Sequence, residues 1–212
     1  KPVAALWDCF RKSRSLRAWR MSFAMLHRGL PVAQPLAVLE RRIGPYLSDS
    51  IFITEEVRPS FNLRFFITSI LPVIPEPQRR PIKRVLIHQL ATLLRRMHQN
   101  GFAHRDMKAT NILIYNMHSY YSDQINPASL RVVLVDLDGL KSKRSPSHRD
   151  QLRALIRLSL SADLSLHITQ TDRARFLKDY LTCFGSGLPD WKTLWRQIQA
   201  EREKSYQDHI PG

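Results

Sequence analysis

Apolar side chains recur at three-to-four spacing near the start of the chain: Leu6, Trp7 and Phe10, then Leu16, Trp19, Phe23 and Leu26. That spacing predicts helix for much of residues 1–29, with Ser15 capping a second helix and Gly29 with Pro31 ending it. Gln34 to Arg41 and Ile51 to Glu56 read as two short strands joined by a turn around Gly44-Pro45. Phe61 to Ile70 reads as a helix of weak periodicity, and Pro72, Pro75, Pro77 and Pro81 as a connector. The clearest pattern follows over 82–99, where Val85, Leu86, Leu90, Leu93, Leu94 and Met97 share one face and Gly101 closes the helix. His98, near its end, reads as a packing or capping histidine. Ile112–Ile114 and Val132–Val135 are apolar, β-branched runs. The polar segment between them, with Asn116, His118, Tyr120, Tyr121, Ser122 and Asp123, reads as an extended hairpin loop. Helices are predicted over 148–161, 171–183 and 189–205, with Asp150 in a first turn and Trp191 and Trp195 on one core-facing side.

Composition narrows the class. A chain of 212 residues, 43% hydrophobic and 24% charged, can bury a proper core. No apolar run approaches the roughly 18 residues of a membrane span, and the first residues carry no signal-peptide pattern. Cys9 and Cys183 are too few for a disulfide framework, which points to a reducing cytoplasm.

Charge changes the picture more. Thirty-three Lys and Arg against eighteen Asp and Glu give +15, which favours nucleic acid, an anionic lipid surface or a phosphorylated sugar as partner. A merely solvated basic surface stays open. Arg11, Lys12, Arg14, Arg17, Arg20 and Arg28 form the most basic stretch, suited to membrane or substrate phosphate, or simply to water.

The candidate chemistry lies in His104-Arg105-Asp106-Met107-Lys108-Ala109-Thr110-Asn111. This is the His-Arg-Asp-x-Lys-x-x-Asn catalytic-loop signature of protein-kinase-like phosphotransferases. Phosphoryl transfer needs a carboxylate to orient the attacking hydroxyl and take its proton, which is Asp106. It needs oxygen ligands for the Mg²⁺ that neutralises nucleotide phosphates; Asn111 and Asp136, the acid ending the second strand, qualify. Lys108 carries positive charge to the moving phosphoryl group. Glu55 and Val57, in Thr54-Glu55-Glu56-Val57, stand where a kinase-like chain crosses between lobes and offers backbone groups to adenine. An edge strand running into a loop suits them equally.

These motifs resemble those of the bacterial lipopolysaccharide kinase family, the Kdo and core-heptose kinases. The resemblance runs through Arg17-Ala18-Trp19-Arg20, Gly29-Leu30-Pro31, Ile53-Thr54-Glu55-Glu56, the Asp106 loop and Val135-Asp136-Leu137-Asp138-Gly139. It implies an α+β, protein-kinase-like fold with a mainly helical C-lobe (59–212) and a truncated or incomplete N-lobe (1–58). It also implies ATP and Mg²⁺ as cofactors and a lipopolysaccharide-core or lipid A–Kdo acceptor, with no nucleic acid. The place implied is cytoplasmic, peripheral on the anionic inner face of the inner membrane. By the same resemblance Asp106 is the base, Asn111 and Asp136 are metal ligands and Lys108 is the phosphate contact.

The chain departs from the pattern at its start. It has no glycine-rich loop or strand lysine before the first helix, and no glutamate between residues 1 and 39 to pair with one. The expectation is a kinase-like domain whose nucleotide-clamping lobe is largely missing. A kinase of another hydroxyl, or a silent module binding anionic lipid or a partner, are the competing readings.

Overall fold

A computed structural model describes residues 13–115, 125–163, 165–182 and 189–207, with side chains as far as 203. The predictions for 1–12 and for the loop carrying Asn116 to Asp123 lie outside the described residues, as does Cys183.

Helix α1 (Arg14–Leu26) is capped by Ser13, whose hydroxyl accepts from the Leu16 amide at 2.9 Å. The expected cap, Ser15, is instead the first inward residue of the helix. Its hydroxyl donates to the Ser50 hydroxyl at 3.0 Å, a tertiary partner that sequence spacing does not reveal. Gly29, at φ +63°, ends the run, as expected. Strands β1 (Pro35–Ile43) and β2 (Tyr46–Thr54) form an antiparallel hairpin on α1, with Trp19 meeting Phe52 edge-on at 6.3 Å. Strand β2 begins five residues before the expected start at Ile51. Tyr46 to Ser50 carry no apolar alternation, and the ladder to β1 holds them extended.

Phe61 belongs to a strand, not to a helix. In β3 (Ser60–Asn62) it pairs with Ile114 of β5 (Ile112–Tyr115), and Asn62 then caps a helical stretch over 63–73. Helix α2 (Glu76–Gln99) starts six residues earlier than its apolar face predicts. Pro77 sits in its first turn, where a missing amide costs nothing, and Pro81 gives up one bond further in. Strand β4 (Phe102–His104) pairs with β7 (Leu140–Ser142), and β5 with β6 (Arg131–Leu134), as the hairpin reading expects. Helices α3 (His148–Ala162) and α4 (Gln170–Leu181) open on capping boxes, Ser147 with Asp150 and Thr169 with Asp172. Helix α5 (Trp191–Gln207) packs Leu194 and Ile198 into the core.

The helical body and the strands share one core, in which Phe66, Ile82, Leu94, Met97, Phe102, Met107, Ile112 and Ile114 are buried. His98 is buried there as well, its Nδ1 2.7 Å from the Tyr180 hydroxyl, the packing role expected of it. The α1 hairpin joins this body through the bridge between Val32 and Leu134 and through Arg28, whose guanidinium lies over the Phe102 ring at 5.2 Å. Gly101 (φ +82°) makes the turn from α2 into β4 possible. A Cβ there would lie 2.2 Å from the Lys143 carbonyl oxygen, inside the β4–β7 pairing.

Candidate active site

The loop from β4 to β5 is organised by the buried imidazole of His104. Its Nδ1 accepts from the Asp106 amide at 3.1 Å, so the proton sits on Nε2, which donates to the Asp136 carbonyl at 2.8 Å. One neutral ring therefore spans the segment bearing Asp106 and the segment bearing Asp136. Burial holds its pKa below the usual histidine value against the pull of nearby Asp136, Asp106 and Asp138. The Arg105 amide donates to the Gly139 carbonyl at 3.2 Å, a second tie between the same segments.

Asn111 is the other cross-link. Its side-chain Nδ2 donates to the Asp106 carbonyl at 3.1 Å, its amide donates to the Lys108 carbonyl, and its carbonyl accepts from the Val135 amide. A short turn over Ala109–Asn111 brings it back toward Asp106, as a five-residue spacing requires. The three oxygen-bearing residues expected at the site, Asp106, Asn111 and Asp136, are thus tied together around one imidazole. Asp136 is exposed, and one of its oxygens accepts from the Asp138 amide at 2.9 Å, which orients the carboxylate.

Lys108 lies 2.7 Å from Asp106, both side chains nearly half exposed. The ammonium holds the Asp106 carboxyl below the usual carboxylate range, so the group is ionised at neutral pH. Glu55 and Val57 lie apart from this cluster, on the strap from β2 to β3. The Glu55 amide donates to the Gln34 carbonyl at 2.8 Å, and the Val57 carbonyl accepts from the Ser60 hydroxyl. The role of His104 as a spacer is what sequence reasoning missed: its letter in the motif is visible, its two backbone partners are not.

Among the described residues no three His, Cys, Asp or Glu side chains gather as a metal cluster. An Asn111 amide oxygen with an Asp136 carboxylate is nevertheless a hard-oxygen donor set. It suits Mg²⁺, which takes one or two protein oxygens and completes its shell with phosphates and water. An apolar cavity lies beside the loop, lined by Leu63, Phe66, Leu86, Leu90, Leu155 and Leu158, with Ala109 touching it from the loop side. Among the described residues no helix is long and apolar enough to cross a membrane.

The chain is similar to known proteins over most of its length. The lipopolysaccharide core heptose(I) kinase WaaP of Escherichia coli K12 is 26% identical over 178 residues, 84% of this chain and 62% of that protein. A second Escherichia coli WaaP is 26% identical over 164 residues, 77% of this chain and 58% of the relative. The chain therefore spans about three fifths of the length of these curated relatives. Among solved structures, WaaP in complex with acyl carrier protein superposes with a TM-score of 0.69 at 23% identity, over 91% of this chain and 76% of that one. The α+β fold is thus the kinase-like fold of WaaP. The family model described as "Lipopolysaccharide kinase (Kdo/WaaP) family" matches residues 4–180, and the chain belongs to that family.

Proposed function

We propose that this chain carries the phosphotransfer centre of a kinase acting on a sugar hydroxyl of lipopolysaccharide core. Heptose is favoured over Kdo because both curated relatives are heptose(I) kinases. The observation that carries the reading is the imidazole of His104 spanning Asp106 and Asp136, with Asn111 bonded between them. Asp106 accepts a hydrogen bond from the acceptor hydroxyl and takes its proton as the oxygen attacks the γ-phosphorus of ATP. The new O–P bond forms as the bond to the β-phosphate oxygen breaks, and ADP leaves. Lys108 turns from Asp106 to the transferring phosphoryl group, exchanging one oxygen partner for another. Asn111 and Asp136 would hold Mg²⁺, which would supply charge neutralisation at the phosphates. The strap bearing Glu55 and Val57 would offer backbone groups to adenine. The acceptor is lipid-anchored, so the protein works at the cytoplasmic, anionic face of the inner membrane.

The test uses labelled ATP, Mg²⁺ and detergent-dispersed core acceptor with wild type, Asp106→Ala and Asp136→Ala. Incorporation by the wild type and a loss of about 10²- to 10⁴-fold in each variant is expected. Equal incorporation by all three overturns the reading.

The solved neighbour in complex with acyl carrier protein makes such a carrier a second candidate partner. The cavity lined by Leu86, Leu90, Leu155 and Leu158 favours it, since leucines make up much of its wall and an apolar chain would pack against them. Co-purification of acylated but not unacylated carrier protein is the expected result.

A further inference from the structure

The two most exposed large apolar side chains named on the described surface are Leu166, 98% exposed, and Val73, 78% exposed. They are far apart in sequence yet adjacent to the partners of one guanidinium. Arg79 donates to the Pro72 carbonyl at 3.1 Å and to the Ile74 carbonyl at 2.7 Å, on either side of Val73. Its other terminal nitrogen lies 3.0 Å from His167 Nδ1, the residue after Leu166. Lys83, one turn along α2, donates to the His167 carbonyl at 3.0 Å and to Asp172 at 2.7 Å. The turn over 72–74 and the loop over 165–168 are therefore held side by side by partly buried bonds, each with an apolar side chain projecting outward.

Single exposed apolar residues are ordinary on a protein surface. This pair is different, because bonds that fix the two loops spend their polar groups inward and leave the tips dry-faced. The same end of α2 carries Arg80 and Arg84, both exposed, while Arg79 and Lys83 are taken up by the loop carbonyls, Glu76 and Asp172. We infer that Val73 and Leu166 are a two-point anchor that enters an anionic phospholipid bilayer, with Arg80 and Arg84 against the headgroups. Side chains so fully exposed protrude, and a protruding tip gains by entering fluid acyl chains. A protein partner would instead need a continuous complementary patch of roughly 800 Å² on each side. The chain's charge of +15 supplies the long-range attraction. This anchor sits on the turn before α2 and the loop before α4, and is built from other residues than the basic stretch of α1. It deepens the membrane part of the function proposed above.

The experiment is co-sedimentation with vesicles of phosphatidylglycerol and phosphatidylethanolamine, against vesicles of phosphatidylcholine alone. Wild type, Val73→Asp/Leu166→Asp and Arg14→Glu/Arg17→Glu/Arg20→Glu are compared, with melting followed in parallel. Val73→Ser/Leu166→Ser serves as a milder variant if the aspartates lower the melting temperature. Wild type is expected to bind the anionic vesicles only. The anchor variants are expected to reduce partitioning about tenfold or more, a loss set by the apolar area withdrawn from the bilayer. Undiminished binding by folded anchor variants overturns the inference, as does loss only in the α1 variant. So does a loss of acyl carrier protein capture with vesicle binding intact, which would make the face a protein dock. Phosphotransfer to detergent-dispersed acceptor is expected to survive the anchor substitutions, so a failed anchor and a failed kinase reading give different results.

Discussion

The molecule contains two lysine–aspartate pairs at the same 2.7 Å separation, one in the catalytic loop and one where α2 crosses α4. Lys108 and Asp106 are 47% and 43% exposed, whereas Lys83 and Asp172 are 13% and 6% exposed. Water competes for the first pair, so its association is worth no more than about 1 kcal/mol and can be exchanged for a substrate contact. The second pair has given up its hydration. Burial pushes the Asp172 carboxyl up, but bonds from Lys83 and from the Thr169 hydroxyl and amide outweigh that and leave it below the usual range. Identical chemistry thus serves as movable machinery in one place and as a fixed rivet in the other, and burial alone makes the difference.

The comparison breaks most directly at the aspartates. Asp106→Asn is expected to remove phosphotransfer by about 10²- to 10⁴-fold while the melting temperature stays within a few degrees, read by labelled-ATP turnover and calorimetry. Asp172→Ala is expected to do the reverse. Leaving the mostly buried Lys83 ammonium without its counter-ion, on the His167 carbonyl alone, costs about 3 kcal/mol of folding stability, measured by urea denaturation. Residual turnover at low temperature should then match the folded fraction. A loss of activity in folded Asp172→Ala beyond that fraction would collapse the distinction.

Acid sharpens it. His98 is buried against Tyr180 with its pKa lowered to about 4, because burial disfavours the imidazolium more than Asp150 favours it. Between about pH 6.5 and pH 4 the unfolded chain binds a proton that the folded chain refuses, so stability falls with pH across that window and levels off below it. His98→Gln is expected to flatten the slope, seen as denaturation midpoints measured from pH 7 to pH 4. The smallest effect is expected from Lys108→Met, under about 1 kcal/mol in stability, with a drop in turnover of roughly tenfold or more.

The helical half of the fold was legible because burial there follows one face. Met97, Leu94, Leu90 and Leu86 repeat at helical spacing, and Gly101 marks the stop. What escaped depended on partners remote in sequence. Ser15 looks like a cap until Ser50 takes its hydroxyl, and Phe61 looks helical until Ile114 pairs with it. The early start of α2 was hidden by prolines, which are poor helix formers inside a helix yet harmless in its first turn. At the site, Asp106, Lys108, Asn111 and Asp136 were legible as residue types at fixed spacing. The hydrogen bonds that hold them in one place run through backbone amides and carbonyls, which leave no trace in residue identity.

Because His104 is a flat, stiff ring gripped at both nitrogens, the spacing between the loop bearing Asp106 and the segment bearing Asp136 is set by a rigid ring and one hydrogen bond at each end. Neither segment can drift far without straining the other. A perturbation felt at Asp136 is passed to Asp106 as a displacement, with no flexible linker in between to absorb it.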